Sequence, residues 1–159
     1  MHHYNSYAGE LGLKAIEYYN KYALLSNNDL WNLRHLAACY RAIKEPQNAL
    51  KYYKEAVELA PENISLSLNI GHCLLEIDDY QEALKYYFKA NYVEPNSLRS
   101  LRPIAWCLFA LGNYEQSKKY YKKIIESQPN VPKARGLRHH QKNGKYIPDQ
   151  ALIQFFVFI

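Results

Sequence analysis

The stretch EALKYYFKA, residues 82–90, decides the fold, because NALKYYKEA at 48–56 and QSKKYYKKI at 116–124 stand at the same interval to either side of it. Eight of the 16 tyrosines fall in four adjacent pairs, Tyr18-Tyr19, Tyr52-Tyr53, Tyr86-Tyr87 and Tyr120-Tyr121, and each pair follows the last by that interval. Four residues before the second member comes a small residue, Ala15, Ala49, Ala83 or Ser117, and Ala151 with Phe155 continues the series. Pro61, Pro95 and Pro129 keep the same spacing. A constant period of about 34 residues marks a row of stacked supersecondary units.

Inside each period the apolar residues recur three and four apart, as in IGHCLLEI (70–77) and EALKYYFKA, which is the spacing of a helical stripe and not of a strand. Small residues at Ala37, Gly71 and Ala105 allow two helices to approach closely, and the neighbouring Tyr or Leu fills the remaining space. Each period is therefore a helical hairpin. A hairpin cannot cover its own apolar face, so it stacks on the next, and about three are needed for stability.

The pattern resembles the tetratricopeptide repeat family, whose unit reads W-x2-L-G-x2-Y, then A-x3-F, then P. Residues 30–63 place Leu33, Leu36, Ala37, Tyr40, Ala49, Tyr53, Ala56 and Pro61 at the pattern positions. Residues 64–97 place Ile70, Gly71, Leu74, Tyr80, Ala83, Tyr87, Ala90 and Pro95 there, with Ser67 where a large residue is usual, and 98–131 follow with Leu101, Ile104, Ala105, Leu108, Gly112, Tyr114, Ser117, Tyr121, Ile124 and Pro129. The resemblance implies an all-α, right-handed superhelical solenoid of antiparallel helix pairs, with three full repeats and flanking partial ones. At the front, 1–29 carry only a second helix, at about 7–25. At the back, 132–159 read as a degenerate or truncated fourth repeat, basic and then apolar, because Arg135, Arg138, His139 and Lys142 occupy positions that should be apolar. The closing FFVFI, with Phe155, Phe156 and Phe158, folds back, is an altered tail, or is a self-association site.

A chain of 159 residues can bury a substantial core. Its net charge of +5 is local: PKARGLRHHQKNGKY, 132–146, holds five of the 20 basic side chains and no acid, and the remaining 15 balance the 15 acids. That segment, 133–145, is the whole case for the competing reading, a nucleic-acid-binding helical repeat protein, and its scarcity of aromatic residues argues against it. No uncharged apolar run approaches the roughly 18 residues of a membrane span, and no basic n-region opens the chain. A soluble, cytoplasmic protein with no membrane partner is expected.

GHCLLE, 71–76, offers a base, a nucleophile and a carboxylate in His72, Cys73 and Glu76. Cys39, Cys73 and Cys107 are all the cysteines, however, and they too recur with the repeat period. A nucleophile is singular, whereas a small semi-apolar residue repeated in three stacked helices is a packing choice. Adjacent helical residues also point about a hundred degrees apart, so His72 cannot readily serve Cys73. The lack of metal-ligand clusters, a phosphate loop or a GxSxG elbow leaves no cofactor implied and an enzyme disfavoured.

In the family, the first helices of successive repeats line a concave groove that receives a partner peptide. Carried onto this sequence, the lining positions bring Trp31, Arg34, Ala38, Arg41 and Ala42, then Ser65, Leu68, His72, Leu75 and Glu76, then Arg99, Arg102, Trp106, Phe109 and Ala110. Four arginines and three large aromatics stand out, residue types that suit an acidic segment with apolar anchors. The bland alternative pairs Arg41 with Glu76 and uses the aromatics only to cover the helices beneath. Some members clamp a terminal carboxylate; Arg34, Asn69 and Arg99 suit that clamp, whereas Ala38 and Pro103 do not. Pro103 also removes an amide donor within the first turns of its helix, which leaves the local geometry open. An acidic protein or peptide partner follows, without a chaperone-tail specificity.

Overall fold

The computed structural model describes residues 2–26 and 29–127. The basic 133–145 segment, the proposed fourth repeat and Phe155, Phe156 and Phe158 lie outside them. Among the described residues there are seven helices and no strand: α1 (His2–Ser26), α2 (Leu30–Ala42), α3 (Pro46–Leu59), α4 (Ile64–Glu76), α5 (Tyr80–Val93), α6 (Leu98–Ala110) and α7 (Tyr114–Glu126). Each packs on its neighbours in the chain, with a smaller α4–α6 contact besides, and the result is an all-α solenoid. The expected front helix is longer than its periodicity indicated, beginning at His2 instead of about residue 7.

The hairpin turns recur with the sequence period. Lys44 (φ 67°), Asp78 (φ 62°) and Gly112 (φ 79°) occupy equivalent places in successive repeats and are all left-handed. Each ends a first helix with the same two bonds: Lys44 N to Arg41 O at 3.0 Å and Glu45 N to Tyr40 O at 2.9 Å, with Asp78-Leu75 and Asp79-Leu74, then Gly112-Phe109 and Asn113-Leu108, repeating the pattern. This double closure satisfies carbonyls that a helix end leaves open and reverses the chain. The first helices of the repeats start on side-chain caps in two cases, Asp29 accepting from Asn32 N and Asn63 from Leu66 N. Pro61 and Pro95 stand two residues beyond the ends of α3 and α5, where they prevent continuation.

The core sits between the helices of each hairpin. Ala49, Tyr53 and Ala56 of α3, Ala83, Tyr87 and Ala90 of α5, and Ser117, Tyr121 and Ile124 of α7 are all buried, at equivalent places. Opposite them Ala37 and Ala105 are fully buried and Gly71 is buried. Gly71 is compulsory in this packing: a Cβ there would stand 2.7 Å from the Tyr87 ring. Ser117 replaces alanine without leaving an orphan, since its hydroxyl donates to the Ala105 carbonyl at 2.8 Å. Ser67, the weak substitute for a large residue, is nevertheless buried.

Candidate functional site: the concave face

Of the first helices, α2 and α6 carry exposed residues, among them Trp31, Arg34, Ala38, Arg99 and Ala110, whereas the residues of α4 are buried or half-buried. Arg34 of α2 and Arg99 of α6 are exposed, and Arg102 is half-buried with its Nε enclosed and without a hydrogen-bond partner. None of the three meets a carboxylate among the described residues. Arg41 differs. Its Nε donates to Oε1 of Glu76 at 3.0 Å, joining α2 to α4, so both members of this sequence-predicted pair are engaged with each other. An open depression beside the bridge is lined by Ala38, Arg41, Ala42, Lys44, Tyr53 and Glu76.

Aromatic side chains occupy the two ends. Trp31 is half exposed and lies 4.2 Å from the His35 ring, with Tyr19 at 5.6 Å and Tyr22 at 6.0 Å edge-on. At the other end Trp106 stacks on Phe109 (5.9 Å, 28°), and Phe109 meets Tyr114 edge-to-face at 5.4 Å. Trp106 and Phe109 also rest on the core cluster of Leu101, Ala105, Tyr121 and Ile124. They cover the helices beneath and remain partly open to a partner. His35, Tyr19 and Tyr114 are not among the lining positions read from the sequence, because two of them lie on second helices and His35 falls between the lining positions.

Leu68 requires a correction. It is 2 % exposed and belongs to the core cluster, so it lines nothing. Of its counterparts, Arg34 is exposed and Arg102 half-buried, whereas an apolar side chain in the middle hairpin, with helices on both sides, sinks. Asn69 and Leu75 are half-buried, the latter packed against the core.

The His72, Cys73, Glu76 trio is not a catalytic unit. His72 Nδ1 is hydrogen-bonded to the Tyr87 hydroxyl at 2.7 Å, Glu76 is held by Arg41, and Cys73 is buried. Burial, partly offset by Arg41, pushes the Cys73 thiol up to about 11, and burial pushes Cys107 to about 12, whereas a nucleophilic cysteine needs the opposite shift. All three cysteines are free. Among the described residues no three His, Cys, Asp or Glu side chains gather as metal ligands, and no helix is long and apolar enough to cross a membrane.

Two tetratricopeptide repeat sequence models match residues 41–102 and 104–131, together more than half of the chain. The chain belongs to the tetratricopeptide repeat family. No curated protein sequence matches it. Among solved structures, this tetratricopeptide repeat chain is similar to a crystal structure of MamA at 21% identity (TM-score 0.68, covering 82% of this chain and 71% of that one). It is also similar to a MamA fragment, residue 41 to the end, from Desulfovibrio magneticus at 19% identity (TM-score 0.70, 76% and 68%). At such identities the likeness establishes the fold alone.

Proposed function

We propose that this tetratricopeptide repeat protein is a non-enzymatic interaction scaffold whose concave face binds an acidic segment of a protein partner. The observation that carries this reading is the charge balance of the face. Of its four arginines one is neutralised by Glu76, the single acid among the lining positions, and Arg34, Arg99 and Arg102 remain without carboxylate partners among the described residues. Trp31 at one end and Trp106-Phe109 at the other supply apolar anchors beside those charges. Carboxylates of a bound segment would give the guanidinium groups the charge-assisted bonds that this chain does not provide.

The test is a calorimetric titration with a synthetic peptide alternating Glu with Leu and Phe. Changing Arg34, Arg99 and Arg102 together to Ala weakens binding on the order of a hundredfold or more, since each such bond contributes roughly 1.5–3 kcal/mol. Helix content stays unchanged, because Arg34 and Arg99 are exposed and none of the three arginines forms an ion pair within the fold among the described residues. Equal affinity for the triple variant would remove the concave face as the site.

A further inference from the structure

The three hairpins act as controls for one another, and at two outward positions of the second helix they disagree. In α3 those positions hold Lys54 and Glu58, and in α7 they hold Lys122 and Glu126, whose charged atoms lie 4.0 Å apart. These are ordinary solvated pairs one turn apart. In α5 the same positions hold Phe88 and Tyr92, exposed by 37% and 87%. Packing within the solenoid does not demand them, since the flanking hairpins manage with charges.

The surroundings define what would dock there. The Phe88 ring meets that of Tyr120 on α7 at 6.1 Å, and the Lys123 ammonium stands 5.4 Å over the Tyr120 ring, which makes one continuous aromatic surface with a cation on it. Lys89 follows Phe88 and Lys119 precedes Tyr120; neither has a carboxylate partner among the described residues. Glu82, the nearest acid on the preceding turns of α5, is already bound to Lys85. On α5 and α7 the uncompensated charge is therefore positive on balance, with Lys89, Lys118, Lys119 and Lys123 against Glu115.

We infer that Phe88, Tyr92 and Tyr120, rimmed by Lys89, Lys119 and Lys123, form a second docking site on the second-helix face, for a protein segment carrying an apolar residue flanked by Asp or Glu. Aromatic centres within a charged rim are the arrangement in which a few residues hold most of the binding energy. The acids interspersed on the same helices, Glu82, Glu115 and Glu126, oppose a uniformly anionic surface such as a membrane or nucleic acid. Two sites on different faces would let one solenoid hold two partners at once.

The test uses the full chain with Arg34, Arg99 and Arg102 changed to Ala, so that the concave face is silent, as bait for a displayed library of random peptides. The chain's own flanking hairpins supply the variant, Phe88→Lys with Tyr92→Glu, a pair already tolerated at those positions in two of three hairpins. The expected result is enrichment of peptides with Asp or Glu around an aromatic or Leu, whose affinity falls at least about tenfold in the double variant. A library that yields no peptide sensitive to the double change, or only peptides without acids, overturns the inference. So do Phe88/Tyr92-dependent binding to phosphatidylserine vesicles or to single-stranded DNA in place of peptide, and Phe88/Tyr92-dependent dimerisation in sedimentation, each of which names a different occupant.

Discussion

At the residue scale the tightest constraint is the one between Gly71 and Tyr87. Gly71→Ala gains up to about 1 kcal/mol of helix propensity, but its methyl group would enter a fully buried ring whose hydroxyl is fixed on His72. Overpacking costs roughly 1–3 kcal/mol, so the variant is expected to be less stable on balance, read as a lower denaturation midpoint; a higher one would show that the ring can move. The buried thiols make a second prediction. Cys73 at about 11 and Cys107 at about 12 keep their protons where an unfolded thiol, near 8.5, loses them. The unfolded state then binds fewer protons than the folded one, so stability is fully present below about pH 8.5 and declines as pH rises towards 11–12. Burial raises the Tyr87 phenol as well, in the same direction. Equilibrium denaturation at pH 7.5 and 10 checks the slope, and the change Cys73→Ser is expected to reduce it. The recurrence of cysteine was legible as packing because three copies could be compared, whereas the sinking of Leu68 was not: the groove positions carry a place on the helix, not the depth at which a given side chain settles there.

At the scale of elements, the hairpin turns show what periodicity conveys and what it omits. The tyrosine pairs fall on every second helix, and Pro61 and Pro95 mark the ends of α3 and α5, because burial and termination are written in residue types. The left-handed turns are only partly written: Gly112 announces one, but Lys44 and Asp78 adopt the same conformation without being glycine. The hydrogen bonds of each turn oblige that backbone, at a cost of roughly 1 kcal/mol for a residue with a Cβ. Lys44→Gly and Asp78→Gly are each expected to raise stability by about 0.5–1 kcal/mol, and Gly112→Ala to lower it by a similar amount; thermal denaturation of the three variants decides it, and a uniform loss in all three would mean that the turns are set by their side chains. Pro103 leaves α6 unbroken from Leu98 to Ala110. The proline has no N–H for the Arg99 carbonyl, and the helix tolerates that single lost bond.

At the scale of the molecule, each helix touches chiefly its sequence neighbours, so the solenoid is held together locally and its long faces are left free for partners. The family and the helix order could be read from the sequence because a repeat states its own pattern three times. The candidate site was legible only as positions: the sequence assigned the arginines and tryptophans to first helices and offered the Arg41–Glu76 pair as an alternative, but it did not show that Tyr114 extends the aromatic end or that Phe88 and Tyr92 stand exposed on the second helices. The two tryptophans of the chain, Trp31 on α2 and Trp106 on α6, both lie on first helices and flank the proposed partner face. Their indole N–H resonances therefore report on that face alone. In a titration with the Glu-, Leu- and Phe-containing peptide, both indole signals are predicted to shift in step with calorimetric saturation, and to stay in place when Arg34, Arg99 and Arg102 are changed to Ala. Saturable binding to the unaltered chain with both indole signals unmoved would contradict the assignment of the concave face as the partner site.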